Sequence, residues 1–147
     1  MSEPLVVEFE VRATPAVAFA TWTERIGAWW PRSHTLSREP AAITFEPRAG
    51  GRIVERGPDG AEHPWGEVIA WEPPHRVRYW WHLYFDRAEA TQVDVTFREH
   101  GGLTRVRIEQ SGWEALGAAG PPRRERTQQV WGMLSRIYAE HLGAAAG

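Results

Sequence analysis

The sequence predicts an α+β fold in which a curved antiparallel sheet of about seven strands wraps around one long C-terminal helix, with two short helices after the first strand. Two observations carry this reading. Pro121 to Leu142 places apolar and aromatic side chains at Val130, Met133, Leu134, Ile137, Tyr138, His141 and Leu142, the three-and-four spacing of one buried helical face. At about 1.5 Å per residue such a helix spans roughly 30 Å, the width of a small domain, and needs a broad apolar partner. The middle of the chain supplies one, because from Ala42 onward short alternating runs are punctuated by turn residues, the pattern of an antiparallel meander.

Each element follows from its residues. Leu5 to Arg12 alternates, with Leu5, Val7, Phe9 and Val11 on one face and Glu8, Glu10 and Arg12 on the other, which predicts a half-exposed first strand. Thr14 caps and Pro15 opens a helix carrying Val17, Ala18, Phe19 and Trp22. Thr23 caps a second short helix, ERIGAWW, which Pro31 stops. ITFEP and GRIVERG read as strands joined by a hairpin at Arg48-Ala49-Gly50-Gly51, whose glycines take positive φ. Pro58-Asp59-Gly60 marks the next turn, and further strands are predicted from Trp65 to Glu72, Arg76 to Phe85, Gln92 to Arg98 and Leu103 to Gln110. A helical turn from Ser111 to Leu116 and a hinge from Gly117 to Gly120 lead into the long helix, which Gly143 caps. No repeat or low-complexity linker interrupts this order, so residues 1–147 read as a single domain.

Composition narrows the function classes. A net charge of −2 gives no global pull toward nucleic acid or anionic membrane, and no arginine run alternates with aromatics as a nucleic-acid groove requires. No apolar run approaches the ~20 residues of a membrane span, and the polar start MSEPLVVEFE is unlike a signal peptide. The absence of cysteine removes disulfide and thiolate chemistry and fits a cytoplasmic protein. Nine tryptophans stand beside two methionines. Each buried indole removes about 150–250 Å² from water and wants an acceptor for its N–H, so an aromatic-lined interior is expected, with ordinary core packing as the alternative.

The acid–base candidates are Glu46, Glu55, Glu67, His34 and His82, of which two must converge in a cleft for catalysis. Glu55 shares a strand face with Ile53; if that face is concave, Glu55 is buried and requires a cationic or hydrogen-bonding partner. The histidines are scattered, with no H-x-x-x-H or H-E-x-x-H spacing, so neither metal nor cofactor is expected. Ser33, Ser37, Ser111 and Ser135 lack the G-x-S-x-G context of a nucleophile, and Arg48 to Arg52 reads as a hairpin rather than a phosphate loop. A pocket between sheet and helix is expected to take a small apolar or aromatic molecule. Its predicted lining is Trp30, Trp65, Tyr79, Trp81, Trp131 and Tyr138, with Trp131 toward the mouth and His34 or Glu55 as an orienting polar contact. Trp80 and Tyr84, on the opposite strand face from Trp81, predict a homodimer contact. Arg123, Arg124 and Arg126 sit at the positive end of the long helix and predict acidic partners or a bound anion.

Several runs carry a family resemblance: Phe45-Glu46-Pro47-Arg48-Ala49-Gly50-Gly51-Arg52, Gly66-Glu67-Val68 through Glu72-Pro73-Pro74-His75-Arg76-Val77, Tyr79-Trp80-Trp81, Thr104-Arg105-Val106 and Gly112-Trp113-Glu114. With them the chain resembles the SRPBCC (START-like) superfamily, and within it bacterial proteins similar to the C-terminal domain of the Aha-type activators of the heat-shock protein 90 ATPase. The resemblance spans nearly the whole chain and implies a helix-grip fold with a cavity. The superfamily hosts lipid binders, cyclases, hydrolases and co-chaperone domains. It therefore implies small-molecule binding, with two alternatives: a hydrolase- or cyclase-type enzyme using Glu55, Glu67, His34 or His82, or a co-chaperone-like interaction module. The length leaves no room for the additional N-terminal domain of the eukaryotic co-chaperones.

Overall fold

The computed structural model describes residues 3–146. Seven strands are present: β1 (Leu5–Val11), β2 (Ala42–Phe45), β3 (Arg52–Arg56), β4 (Glu62–Glu72), β5 (Arg76–Trp81), β6 (Thr91–His100) and β7 (Leu103–Ser111). All pair antiparallel in one sheet of order β1-β7-β6-β5-β4-β3-β2. The five hairpins from β2 to β7 make a meander, and β1 closes onto β7 from Leu5↔Gln110 to Val11↔Thr104. This is the predicted α+β, helix-grip architecture.

Helix α1 (Pro15–Trp22) begins as predicted, with the Thr14 hydroxyl accepting from the Val17 N–H at 3.2 Å and proline in the first turn. The second predicted helix is shorter than expected. It forms a 3-10 turn at Ile26–Ala28 and another at Arg32–His34, separated by Pro31. Gly27 adds backbone entropy cost and Pro31 lacks the N–H that would continue the ladder, so an α-helix does not propagate over so short a run. In the Arg48–Gly51 turn only Gly50 takes positive φ, at 81°.

The inward face of the sheet is set by two bulges in β4. Ile53 pairs with Gly66 and Val54 with Pro64, so Trp65 is an extra residue with no partner across β3. Val68 pairs with Tyr79 and Ala70 with Arg78, leaving Ile69 as a second extra residue toward β5. The first bulge turns the Trp65 indole into the interior next to Gly66. Gly66 has no room for a side chain, since a Cβ there would lie 2.0 Å from the Trp80 carbonyl oxygen.

Helix α2 (Gly120–Ala146) follows a 3-10 segment, Trp113–Ala119, that breaks at Gly117, where φ is 59°. Gly143 lies inside α2 rather than capping it. Trp131, Leu134, Tyr138 and Leu142 are the buried stripe. Tyr138 donates to the Ala18 carbonyl at 2.5 Å and meets Trp22 edge-on at 5.0 Å, tying α2 to α1. Trp22 is the hub: it also stacks on Trp131 at 5.7 Å and packs against Trp29 at 5.3 Å. Each such ring pair adds about 0.5–1.5 kcal/mol beyond the area it buries.

Removing this tie should be costly. Tyr138→Ala is expected to lower unfolding stability by about 3–5 kcal/mol, as for other buried rings, and Tyr138→Phe by about 1 kcal/mol. Urea titration measures both, and a Tyr138→Ala loss under about 1 kcal/mol would contradict the role given to this contact.

Candidate functional site

At one end of the sheet, the interior is not filled. A cavity of about 320 Å³ lies between the N-terminal half of α2, the Trp30–His34 segment, the residues after β5 and the end of β7. Its inner wall is Trp30, Leu83, Gln110, Trp131 and Leu134, all buried. Trp81 and Val130 are half-buried on its sides. Its rim carries Ser33, Tyr84, Phe85 and Arg126, all exposed. Leu83, Tyr84 and Phe85 reach it because β5 stops at Trp81: the His82 N–H still donates to the Trp65 carbonyl at 2.8 Å, then the Phe85 N–H closes back on His82 O at 2.7 Å. Tyr84 sits at the tip with φ 72°, a left-handed conformation uncommon for a bulky residue.

Polar groups behind the wall are paired. Gln110 is 1% exposed; its Oε1 accepts from the Trp131 indole at 2.7 Å and its Nε2 donates to Thr91 Oγ1 at 2.8 Å. The Trp30 indole donates to the His34 carbonyl at 2.9 Å. Glu55 is completely buried and accepts from the Leu36 N–H (2.8 Å), the Ser37 N–H (2.7 Å), the Ser37 hydroxyl (2.5 Å) and the Trp65 indole (3.1 Å). Burial by itself would raise its pKa; these four donors outweigh burial and hold it below the ordinary carboxylate value. A carboxylate so engaged is a structural fastener for residues 35–38, the segment just beyond the rim residues Ser33 and His34.

The cavity thus divides the sequence candidates. Trp30, His34, Trp81 and Trp131 line it, with Trp131 deep in the wall rather than at the mouth. Trp65, Tyr79, Tyr138 and Glu55 are set one layer behind. Trp65 packs against Trp30 and Trp81, and the Tyr79 hydroxyl accepts from the Trp22 indole at 3.3 Å. Burial pushes the pKa of both Tyr79 and Tyr138 upward, so both phenols stay protonated. Among the acid–base candidates, Glu67 pairs with Arg87 at 3.0 Å on the outer face, Glu46 pairs with Arg48 and Arg52 outside the cavity, and buried His82 faces the Phe85 carbonyl. No carboxylate–histidine pair converges on the cavity among the described residues.

Two expectations are corrected. Trp80 and Tyr84 do not form one outward patch, since the chain turns after Trp81 and brings Tyr84 to the cavity rim, with its hydroxyl 3.5 Å from the Thr35 carbonyl. Of the two kinds of partner expected at the start of α2, the acidic side chains are replaced at Arg123 and Arg124 by carbonyl oxygens: Arg123 donates to Glu89 O, and Arg124 to Glu3 O and Pro4 O. Residues missed by sequence reasoning are Gln110, Leu83, Phe85 and Thr127. Only Gln110 carried a signal, as a polar residue ending the inward alternation of β7.

Comparison with known proteins follows the same architecture. The family model described as Activator of Hsp90 ATPase homolog 1-like protein matches residues 12–139. Among solved structures, an anthrahydroquino-gamma-pyrone synthase, Txn09, is 31% identical over 81% of this chain and 82% of its own, with a TM-score of 0.60. CalC from Micromonospora echinospora, a self-sacrificing resistance protein, is 22% identical over 97% of this chain and 96% of its own, with a TM-score of 0.75. The Aha1 dimer from Colwellia psychrerythraea is 15% identical over 96% of both chains, with a TM-score of 0.70. The last two are likenesses of fold alone. No curated protein sequence matches the chain.

The state of Glu55 makes a pH prediction. Its folded pKa is depressed, so its stabilising contribution is complete above the unfolded value of about 4.5 and is lost as pH falls through the folded value. Glu55→Gln is expected to cost about 3 kcal/mol or more at pH 7, because an amide nitrogen faces donors, and to flatten the acid limb of the stability profile. Urea titrations between pH 7 and 3 measure this; an unchanged profile in Glu55→Gln would contradict it.

Proposed function

We propose, from the premise that the chain belongs to the family of Activator of Hsp90 ATPase homolog 1-like proteins, that this protein binds a flat, largely apolar small molecule in the cavity beside α2. The observation that carries the reading is an unfilled space of about 320 Å³ faced by three indoles, Trp30, Trp81 and Trp131. Protein interiors normally close-pack, and a space of this size bordered by stiff flat rings suits a flat ring system better than a branched chain. The 31% identity to a synthase of a fused-ring product supports the same ligand shape.

The synthase likeness also favours a second reading, a cyclase-type enzyme acting on such a molecule. In this chain the proton-transfer groups on the wall would be His34 and Tyr84, since Glu55 is occupied and Glu67 lies outside. The absence of any carboxylate from the described wall is why binding stands first.

Anthraquinone tests the binding reading, because it is neutral and planar. Calorimetric titration of the full chain should give saturable one-to-one binding with a Kd on the order of 1–100 µM. Trp81→Leu should weaken it about fivefold or more, and Val130→Trp, which fills the space, should abolish it. Trp80→Ala, on the outer face of β5, should leave it unchanged. Absence of binding, or equal effects of all three substitutions, would overturn the reading.

A further inference from the structure

The cavity wall is asymmetric in charge. Arg123 is 6% exposed, and its guanidinium carbon lies 3.7 Å from the centroid of the Phe85 ring. Its Nη1 donates to the Glu89 carbonyl at 2.7 Å, its one hydrogen bond among the described residues. No carboxylate lies within ion-pair distance of Arg123 or of Arg126 among those residues. The nearby acid is Glu89, whose carboxylate accepts from the Asp86 N–H to close its own turn. No buried side-chain nitrogen is left without a partner. The other N–H groups of Arg123 are therefore not fully enclosed, and two recesses at this residue are the cavity and a groove beside it that Glu89 also lines; Arg126 borders both.

Three further features point one way. Asp and Glu are absent from the described cavity wall, so nothing there answers the two guanidinium charges. Both ends of the Gln110 amide are engaged with Trp131 and Thr91, leaving the arginines as the strong polar groups on offer. Burial draws the Arg123 pKa below its ordinary value, against the opposing pull of Glu89 and with the repulsion of Arg126. A largely buried cation facing a carbonyl and a ring, with Glu89 nearby but no carboxylate in ion-pair contact, is an arrangement that an anion in the cavity completes. A guanidinium fork matches a planar carboxylate, which it binds through paired N–H groups.

We infer that the ligand is an anion, a planar aromatic molecule bearing one carboxylate, with its rings among Trp30, Trp81 and Trp131 and its carboxylate at Arg126 and Arg123. This rests on reading the cavity as a ligand site. Arg126 is the specificity-determining residue, because it is exposed at the rim and free to close on the incoming charge.

The test compares anthraquinone-2-carboxylate with anthraquinone-2-carboxamide by calorimetry at low salt, on the full chain. The carboxylate should bind about tenfold tighter or more, and added salt should erode that advantage. Arg126→Gln should shrink the ratio to about threefold or less while leaving the melting temperature unchanged, and Arg126→Glu should reverse the preference. Equal affinity of the two compounds for the wild-type chain, or an advantage that persists in Arg126→Glu, would overturn the anion inference while the amide's binding leaves the cavity reading standing. Binding of neither compound would overturn both.

Discussion

An indole in an apolar interior carries one N–H that must find an acceptor, and this chain buries six of them. Their partners lie on other elements or across turns: Trp22 to the Tyr79 hydroxyl, Trp29 to Thr21 O, Trp30 to His34 O, Trp65 to Glu55, Trp113 to Gln110 O and Trp131 to the Gln110 side chain. An unmet donor costs on the order of 1–3 kcal/mol, so these pairings are conditions on the fold as well as contacts within it. They decide which elements meet. Gln110 alone joins β7, β6, α2 and the 3-10 segment before α2, because its amide and its carbonyl serve Trp131, Thr91 and Trp113 at once.

The same requirement explains why space remains. A ring held by a directional bond cannot rotate to fill a neighbouring gap as a leucine can, and rings meeting edge-on leave wedges between them. Around the cavity, Trp30 meets Trp81 at 63° and Trp65 at 47°, while Trp131 is fixed by Gln110. The rings form a wall instead of interdigitating. On the rim, Tyr84 is 52% and Phe85 38% exposed, so the apolar surface continues from the interior to the mouth.

Much of this was legible in the sequence because periodicity reports burial. The α2 stripe, the β1 alternation and the inward set Val77, Tyr79 and Trp81 follow from spacing alone. Glu55 was legible conditionally: sharing a face with Ile53 meant burial once that face proved concave. The remainder depended on backbone geometry that side-chain pattern does not encode. Alternation continues through Phe85, yet the strand ends at Trp81, because His82 to Phe85 closes a turn without glycine at its left-handed position. Tyr84 therefore moved from the outer face to the rim. Tyr138 and Tyr79 share the interior with the cavity-facing indoles, but their hydroxyl partners, Ala18 and Trp22, lie away from the open space. Which member of an inward set borders a void is decided by such third-layer bonds.

The two bulges in β4 bear on how this chain can vary in length. Each extra residue, Trp65 and Ile69, resets which side of the sheet the next residue faces. The stretch Gly66–Val68 is therefore out of phase with its flanks, and the two resets compensate one another. Losing the extra residue itself would keep Ile53↔Gly66 and Val54↔Pro64, or Val68↔Tyr79 and Ala70↔Arg78, in register, whereas losing any other residue of β4 would turn a flank inside out. Loss of Trp65 would also remove the indole that holds Glu55. Insertions and deletions across related chains should accordingly gather at the turns around Pro58–Gly60 and Gly101–Gly102, where added residues meet only water, and spare the eleven residues of β4.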